Sequence, residues 1–149
     1  VIFFGENPVS LFVIVKVFFF FDTVLIHGLN VNGRKFYLCL MIIIARSLLK
    51  NTKISAIALF PVVLVRSSAL RENAVLINHE KIHLRQQLEM LVIFFYLWYV
   101  IEYYYLFFKL KDPYQAYKSI SFEREAYAME NNPDYLKTRK FWSFWKYRY

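Results

Sequence analysis

At 149 residues the chain has material for one domain with a single core. Its 58% hydrophobic and 21% aromatic content exceeds what so small a core hides, so part of its 16 Phe and 12 Tyr must face lipid or a partner. The net charge of +8 is carried by basic residues interleaved with Trp and Phe, which fits an anionic membrane surface and speaks against nucleic acid, while the single Cys39 excludes an internal disulfide and a cysteine zinc knuckle.

Residues 1–40 differ from the rest. They hold all three glycines, Cys39 and the run Phe18-Phe19-Phe20-Phe21. Their apolar stretch Val9–Phe21 is 13 residues long, short of the roughly 20 that cross a bilayer. Neither a basic start nor a small-residue cleavage site marks a signal peptide. Met41 is the better candidate for a natural start, leaving 1–40 as an apolar segment of doubtful status and 41–149 as one domain.

With no glycine in residues 34–149, hairpins with primed turns are disfavoured, and helices joined at prolines and polar breaks are expected. Val62-Val63-Leu64-Val65, with Pro61 at its start, reads as an edge strand. Ser67–Asn73 is a polar loop, and a helix begins near Asn73 or Ala74. Leu91–Phe108 is an eighteen-residue apolar run whose only charge is Glu102. Its Tyr and Trp density fits the headgroup zone, and a charge at mid-bilayer is costly, so an interfacial or partly embedded segment is expected. Asp112-Pro113 opens a new helix, Ser119 or Ser121 caps another over Phe122–Glu130, and Asn132-Pro133-Asp134 starts a last one. The tail Lys137–Tyr149 carries five basic residues and no acid. Its composition is that of an aromatic-basic membrane anchor, or else of a terminal helix packing its rings on the core.

The helix after Asn73 contains His79-Glu80-Lys81-Ile82-His83, an HExxH pentad that includes two of the chain's three histidines. Residues i and i+4 stand one above the other on a helix, so both imidazoles reach one metal ion. Zn²⁺ is the expected cofactor, with Glu80 placed to take a proton from a zinc-bound water. Gln86 and Gln87, seven and eight residues past His79, are either partners of the site or ordinary surface polars. No histidine follows His83, so a third ligand must be a carboxylate. Glu89 lies too near on the same helix and points off its face. The segment Ser121–Ala128 is the better source, with Glu123, Glu125 and Glu130 in or beside it.

His79-Glu80-Lys81-Ile82-His83 followed by Phe122-Glu123-Arg124-Glu125-Ala126-Tyr127-Ala128 resembles the gluzincin pattern, HExxH plus a Glu on a later helix. It is most similar to the membrane-bound CAAX-prenyl and HtpX-type endopeptidases, whose second motif runs Glu-x-x-Ala-Asp. The resemblance implies Glu123 as the third metal ligand and Ala126 as the motif's Ala. Tyr127 stands where the family has Asp, which leaves the support of one histidine open. The stretch from about Leu59 to Tyr149 also resembles a group of small bacterial membrane-associated proteins with an NHEKIH-type motif, implying a place at the bacterial inner membrane.

The implied fold is mainly α, with a short strand or small sheet before the motif helix and a zincin-like minimal metallopeptidase core. One geometric condition follows. A straight helix from Lys81 to Leu110 is about 43 Å long. Glu123, thirteen residues farther on, then returns to the histidines only along an almost fully extended path. The apolar run must therefore bend, somewhere in Val92–Trp98. The expected function is a membrane-associated zinc metallopeptidase with Glu80 as general base and Tyr127 or Arg124 steadying the oxyanion. Its substrates would be peptides or membrane-proximal protein segments lying along Val62–Val65. The rival is a non-catalytic membrane-anchored interaction or structural protein whose metal is structural or absent. Oligomeric state is not legible.

Overall fold

The computed structural model describes residues 41–50, 52 and 54–149, so the expectations for residues 1–40 lie outside the described residues. The described residues are mostly helical (63%), with a small three-stranded sheet ahead of the main helices. Strand β1 (Met41–Ile44) and a short helix α1 (Arg46–Leu49) lead to strands β2 (Ala56–Leu59) and β3 (Val62–Val65). The β2–β3 hairpin needs no glycine: its two-residue turn is Phe60-Pro61, joined by a cis peptide bond.

The sheet order is β1-β3-β2, with β1 parallel and β2 antiparallel to β3. Val62–Val65 is therefore the central strand, correcting the edge-strand expectation. Paired on both sides, it offers no ladder to a substrate. All residues of β2 and β3 are buried, and their alternation sorts them into two layers. Ile57, Leu59, Val62 and Leu64 pack with Leu49 and Ile54. After β3 a single helical turn, α2 (Ser68–Arg71), stands within the expected loop Ser67–Asn73 and leads to helix α3 (Ala74–Glu89). Ala56, Ala58, Val63 and Val65 pack with Ile77 and Leu84 of helix α3. The two alanines are small enough to let that helix approach the sheet closely, and they also weakened the signal of β2 in the sequence.

Helix α3 (Ala74–Glu89) begins where expected, with the Asn73 side chain accepting from the Leu76 N–H at 3.0 Å. It breaks at Leu91 and Val92, both with positive φ (52° and 53°), and helix α4 (Ile93–Leu110) leaves at 111° to it. Left-handed backbone in side-chain-bearing residues costs roughly 1–2 kcal/mol each, which is why no glycine-free sequence advertises such a corner. The bend thus falls at the N-terminal limit of the expected interval. Among the described residues no single helix is long and apolar enough to cross a membrane; only the bent α3–α4 pair passes that test together.

Phe95, Tyr99, Tyr103 and Leu106 form the inner stripe of α4. They pack on helix α5 (Pro113–Ser119), on Ile120 just before helix α6 (Ser121–Met129) and Phe122 in its first turn, and on Phe144. Asp112 caps α5 as expected, accepting from the Gln115 N–H at 2.8 Å with Pro113 in the first turn. The serine caps expected for α6 do not form. Glu102 of α4 takes that role instead, accepting from the Ser121 N–H (3.1 Å), the Ser121 hydroxyl (2.7 Å) and the Trp98 indole N–H (3.2 Å). The one acid of the apolar run is thus drawn inward to anchor the next helix. We expect Glu102→Ala to lower stability by about 1–2 kcal/mol, the cost of a lost cap, read as a lower urea midpoint at unchanged slope.

The last expected helix is a single turn, α7 (Tyr135–Thr138), starting two residues after Pro133; Asn132 there accepts from the Asp134 N–H at 3.1 Å. The tail closes as a 3₁₀ turn, Ser143–Tyr147, rather than a packed terminal helix. Only Phe144 of its rings is fully buried, while Phe141, Trp142, Trp145 and Tyr149 stay exposed.

Candidate metal centre

The corner between α3 and α4 lets α6 come back against the motif helix. His79 and His83 are both buried, and their Nε2 atoms lie 3.1 Å apart. Glu123 of α6 places Oε2 at 3.6 Å from His79 Nε2 and Oε1 at 3.3 Å from His83 Nε2. Tetrahedral ligands about 2.0–2.1 Å from a zinc ion stand roughly 3.3 Å from one another; the closest approaches here, which use both oxygens of Glu123, are near that spacing, and with one donor atom from each residue the three lie within 4.8 Å of one another.

The outer ring nitrogens fix the orientation. Glu130 Oε2 lies 2.8 Å from His79 Nδ1, and Gln86 Oε1 lies 2.8 Å from His83 Nδ1. The Gln86 amide nitrogen donates to Phe122 O and Glu125 Oε2, so its oxygen faces His83 as an acceptor. Both Nδ1 atoms accordingly donate outward. In the neutral rings both Nε2 atoms then turn lone pairs toward each other and toward a carboxylate. Electron-rich atoms converging in this way are relieved either by a proton on a ring Nε2 or by a metal cation between them.

Burial works against a charged His83, yet the Glu123 and Glu80 carboxylates hold its pKa above the ordinary histidine value. Burial likewise opposes charge on Glu123, but His83 and His79 keep its carboxyl well below the usual range. The Tyr99 and Tyr117 hydroxyls donate to the two oxygens of Glu123 at 2.9 and 2.7 Å. Burial, reinforced by that carboxylate, pushes both phenols well up, so they remain donors.

Each expected site residue is accounted for. His79, His83 and Glu123 are brought together, and they form the buried group able to hold a metal among the described residues. Glu80 is 1% exposed and lines the adjoining cleft. Glu125, an alternative ligand, is instead paired with Arg139 at 2.6 Å. Glu130, the other alternative, serves the far side of His79 and so supplies the support that the Tyr127 departure left open. Tyr127 stacks edge-on against His79, with ring centres 4.7 Å apart. Neither Tyr127 nor Arg124 lines the cleft; Tyr96 and Tyr99 do, with Ala58, Gln87 and Phe95. Sequence reasoning missed Tyr96, Tyr99 and Tyr117 because their relation to Glu123 and Glu80 exists only once α4 and α5 fold back. Gln86 was within reach of the sequence, one turn beyond His83.

The cleft is small, with room for about one water. Its wall includes the edge of β2, and Gln87 spans that edge. The Gln87 amide donates to Ala58 O at 2.9 Å and accepts from the Phe60 N–H at 2.8 Å, as one residue of an added strand does. The Tyr96 hydroxyl also reaches Ala58 O, at 3.4 Å. Comparison of the chain with protein-family models, with curated proteins and with solved structures gives no match.

Proposed function

We propose that the chain is a zinc-dependent hydrolase, and specifically a metallopeptidase, with His79, His83 and Glu123 as metal donors and Glu80 as general base. The observation that carries this reading is the convergence of two outward-locked imidazoles and a tyrosine-held carboxylate, with closest approaches of 3.1–3.6 Å. An N₂O donor set suits Zn²⁺ and leaves a fourth position open. Zinc bound there supplies Lewis acidity, lowering the pKa of water and polarising a carbonyl.

The protein's own groups supply the remainder. Glu80 accepts a proton at its carboxylate from the water that the cleft admits, then returns it to the leaving amine nitrogen. Tyr99 and Tyr117 hold Glu123 in place through both oxygens. Tyr96, in the cleft wall, is the phenol placed to steady an oxyanion while Tyr99 holds Glu123; burial and the Glu80 charge keep Tyr96 protonated by raising its pKa. A peptide adds to the edge of β2 rather than to β3, and it reaches the site when the Gln87 amide leaves Ala58 and Phe60.

The small cleft and the occupied edge favour one alternative, a structural metal in a non-catalytic protein. Zinc stoichiometry of the purified chain, with hydrolysis of a peptide library before and after chelation, tests both. One zinc per chain, with activity lost to chelator and restored by zinc, supports the enzyme. One zinc without hydrolysis supports the structural role, and a metal-free protein indifferent to zinc sinks both. Removing the partner of His79 by Glu130→Ala should weaken zinc binding about 10–100-fold, measured by competition with a chromophoric chelator.

A further inference from the structure

Helix α4 is apolar on two faces. One stripe enters the core; the other runs Ile93, Leu97, Ile101, Tyr105 and Phe108, each 55–65% exposed. Steps of four, four, four and three residues keep these side chains in one row about 22 Å long. A helix apolar all round is one whose outer face has a partner of its own. The tail extends this face, because Trp145 packs on Trp98 with ring centres 5.8 Å apart and Lys109 sits 4.5 Å over the Tyr149 ring.

Charge identifies the partner. The cations at this rim stand on aromatic rings: Arg148 over Trp145 at 4.4 Å and Lys111 over Phe108 at 5.6 Å, besides Lys109. The sole acid of α4, Glu102, is turned away and held by Ser121 and Trp98. The tail from Lys137 to Tyr149 adds no acid. An apolar row, flanking Trp and Tyr, and a rim in which Lys109, Lys111 and Arg148 outnumber the neighbouring Asp112 match the layers of an anionic bilayer surface: acyl chains, headgroup zone and phosphates.

We propose that the outer face of α4, with the 3₁₀ tail, docks the protein in the plane of an anionic lipid surface. The docking is independent of any metal or hydrolytic step. The test is co-flotation of the full chain with phosphatidylcholine vesicles, with and without phosphatidylglycerol, while Trp emission is recorded. The expected result is binding about tenfold or more tighter to the anionic vesicles, weakened by high salt, with a blue shift of Trp emission. Ile101→Glu and Leu97→Glu should each reduce binding about tenfold or more while the far-ultraviolet circular dichroism stays unchanged. Leu48→Glu, exposed on α1 at 41%, should leave it intact. Glu80→Gln should bind vesicles as the wild type does, which separates this result from the fate of the hydrolase reading. Equal binding by folded Ile101→Glu and wild type overturns the proposal. So does failure of the wild type to bind, whether light scattering then finds a dimer closed over this face or a monomer whose residues 1–40 cover it.

Discussion

Glu80→Gln is expected to retain one zinc per chain while peptide hydrolysis falls by about 10²–10⁴-fold, the usual contribution of a general base. Glutamine keeps the shape and burial of the side chain, and Glu80 is not among the three converging donors. What the amide loses is the ability to accept a proton. His83→Ala acts one step earlier, by taking away a donor, so zinc itself should be lost. The two variants therefore fail differently, and metal analysis beside a kcat measurement separates them. Hydrolysis undiminished in Glu80→Gln would remove Glu80 from the mechanism and shift the metal toward a structural role.

The second large effect is on stability. The side chain of Arg139, 1% exposed, bridges Glu89 on α3 at 2.5 Å and Glu125 on α6 at 2.6 and 3.1 Å; the side chains of the two acids are 2% and 0% exposed. Burial opposes the charge on Arg139, but hydrogen bonding to Glu125 and the charge of both acids hold its pKa above the ordinary value. The Tyr135 hydroxyl (2.7 Å) and the Gln86 amide (2.8 Å) complete the shell of Glu125. Removing the guanidinium leaves two buried carboxylates without their main counter-charge. We expect Arg139→Ala to destabilise the fold by about 3–5 kcal/mol. For a chain of this length that lowers Tm by roughly 6–20 °C. Arg85, half-exposed and also paired with Glu89 at 3.1 Å, is the control: Arg85→Ala should cost no more than about 1 kcal/mol. A Tm for Arg139→Ala within a degree or two of wild type would show that the network is not a fastening between tail, α3 and α6. Because Gln86 joins Glu125 to His83, the same variant should also loosen His83, seen as weaker zinc retention in the protein that remains folded.

Local chemistry made part of this molecule legible in advance. The HExxH spacing put His79, Glu80 and His83 on one buried helix because helical geometry alone stacks i and i+4. Asn73 and Asp112-Pro113 announced their helix starts for the same local reason. Where a feature depended on a partner distant in sequence, local reading failed. Ser121 looked like a cap, but Glu102 nineteen residues upstream caps that helix. Val62–Val65 looked like an edge strand, since nothing in its own residues shows that β1 and β2 flank it.

The sequence by itself determined the donor chemistry: two imidazoles, carboxylates and no cysteine pair, on a chain too aromatic to hide all its rings. Only the tertiary structure decided which carboxylate returns. That choice is made at Leu91 and Val92, where two left-handed residues turn α4 by 111° and bring Glu123, rather than Glu125 or Glu130, within 3.3–3.6 Å of both imidazoles. The corner is unfavourable locally and persists because folding back buries Phe95, Tyr99, Tyr103 and Leu106. Burial of that kind belongs to the assembled fold, and no window of sequence around residue 92 contains it.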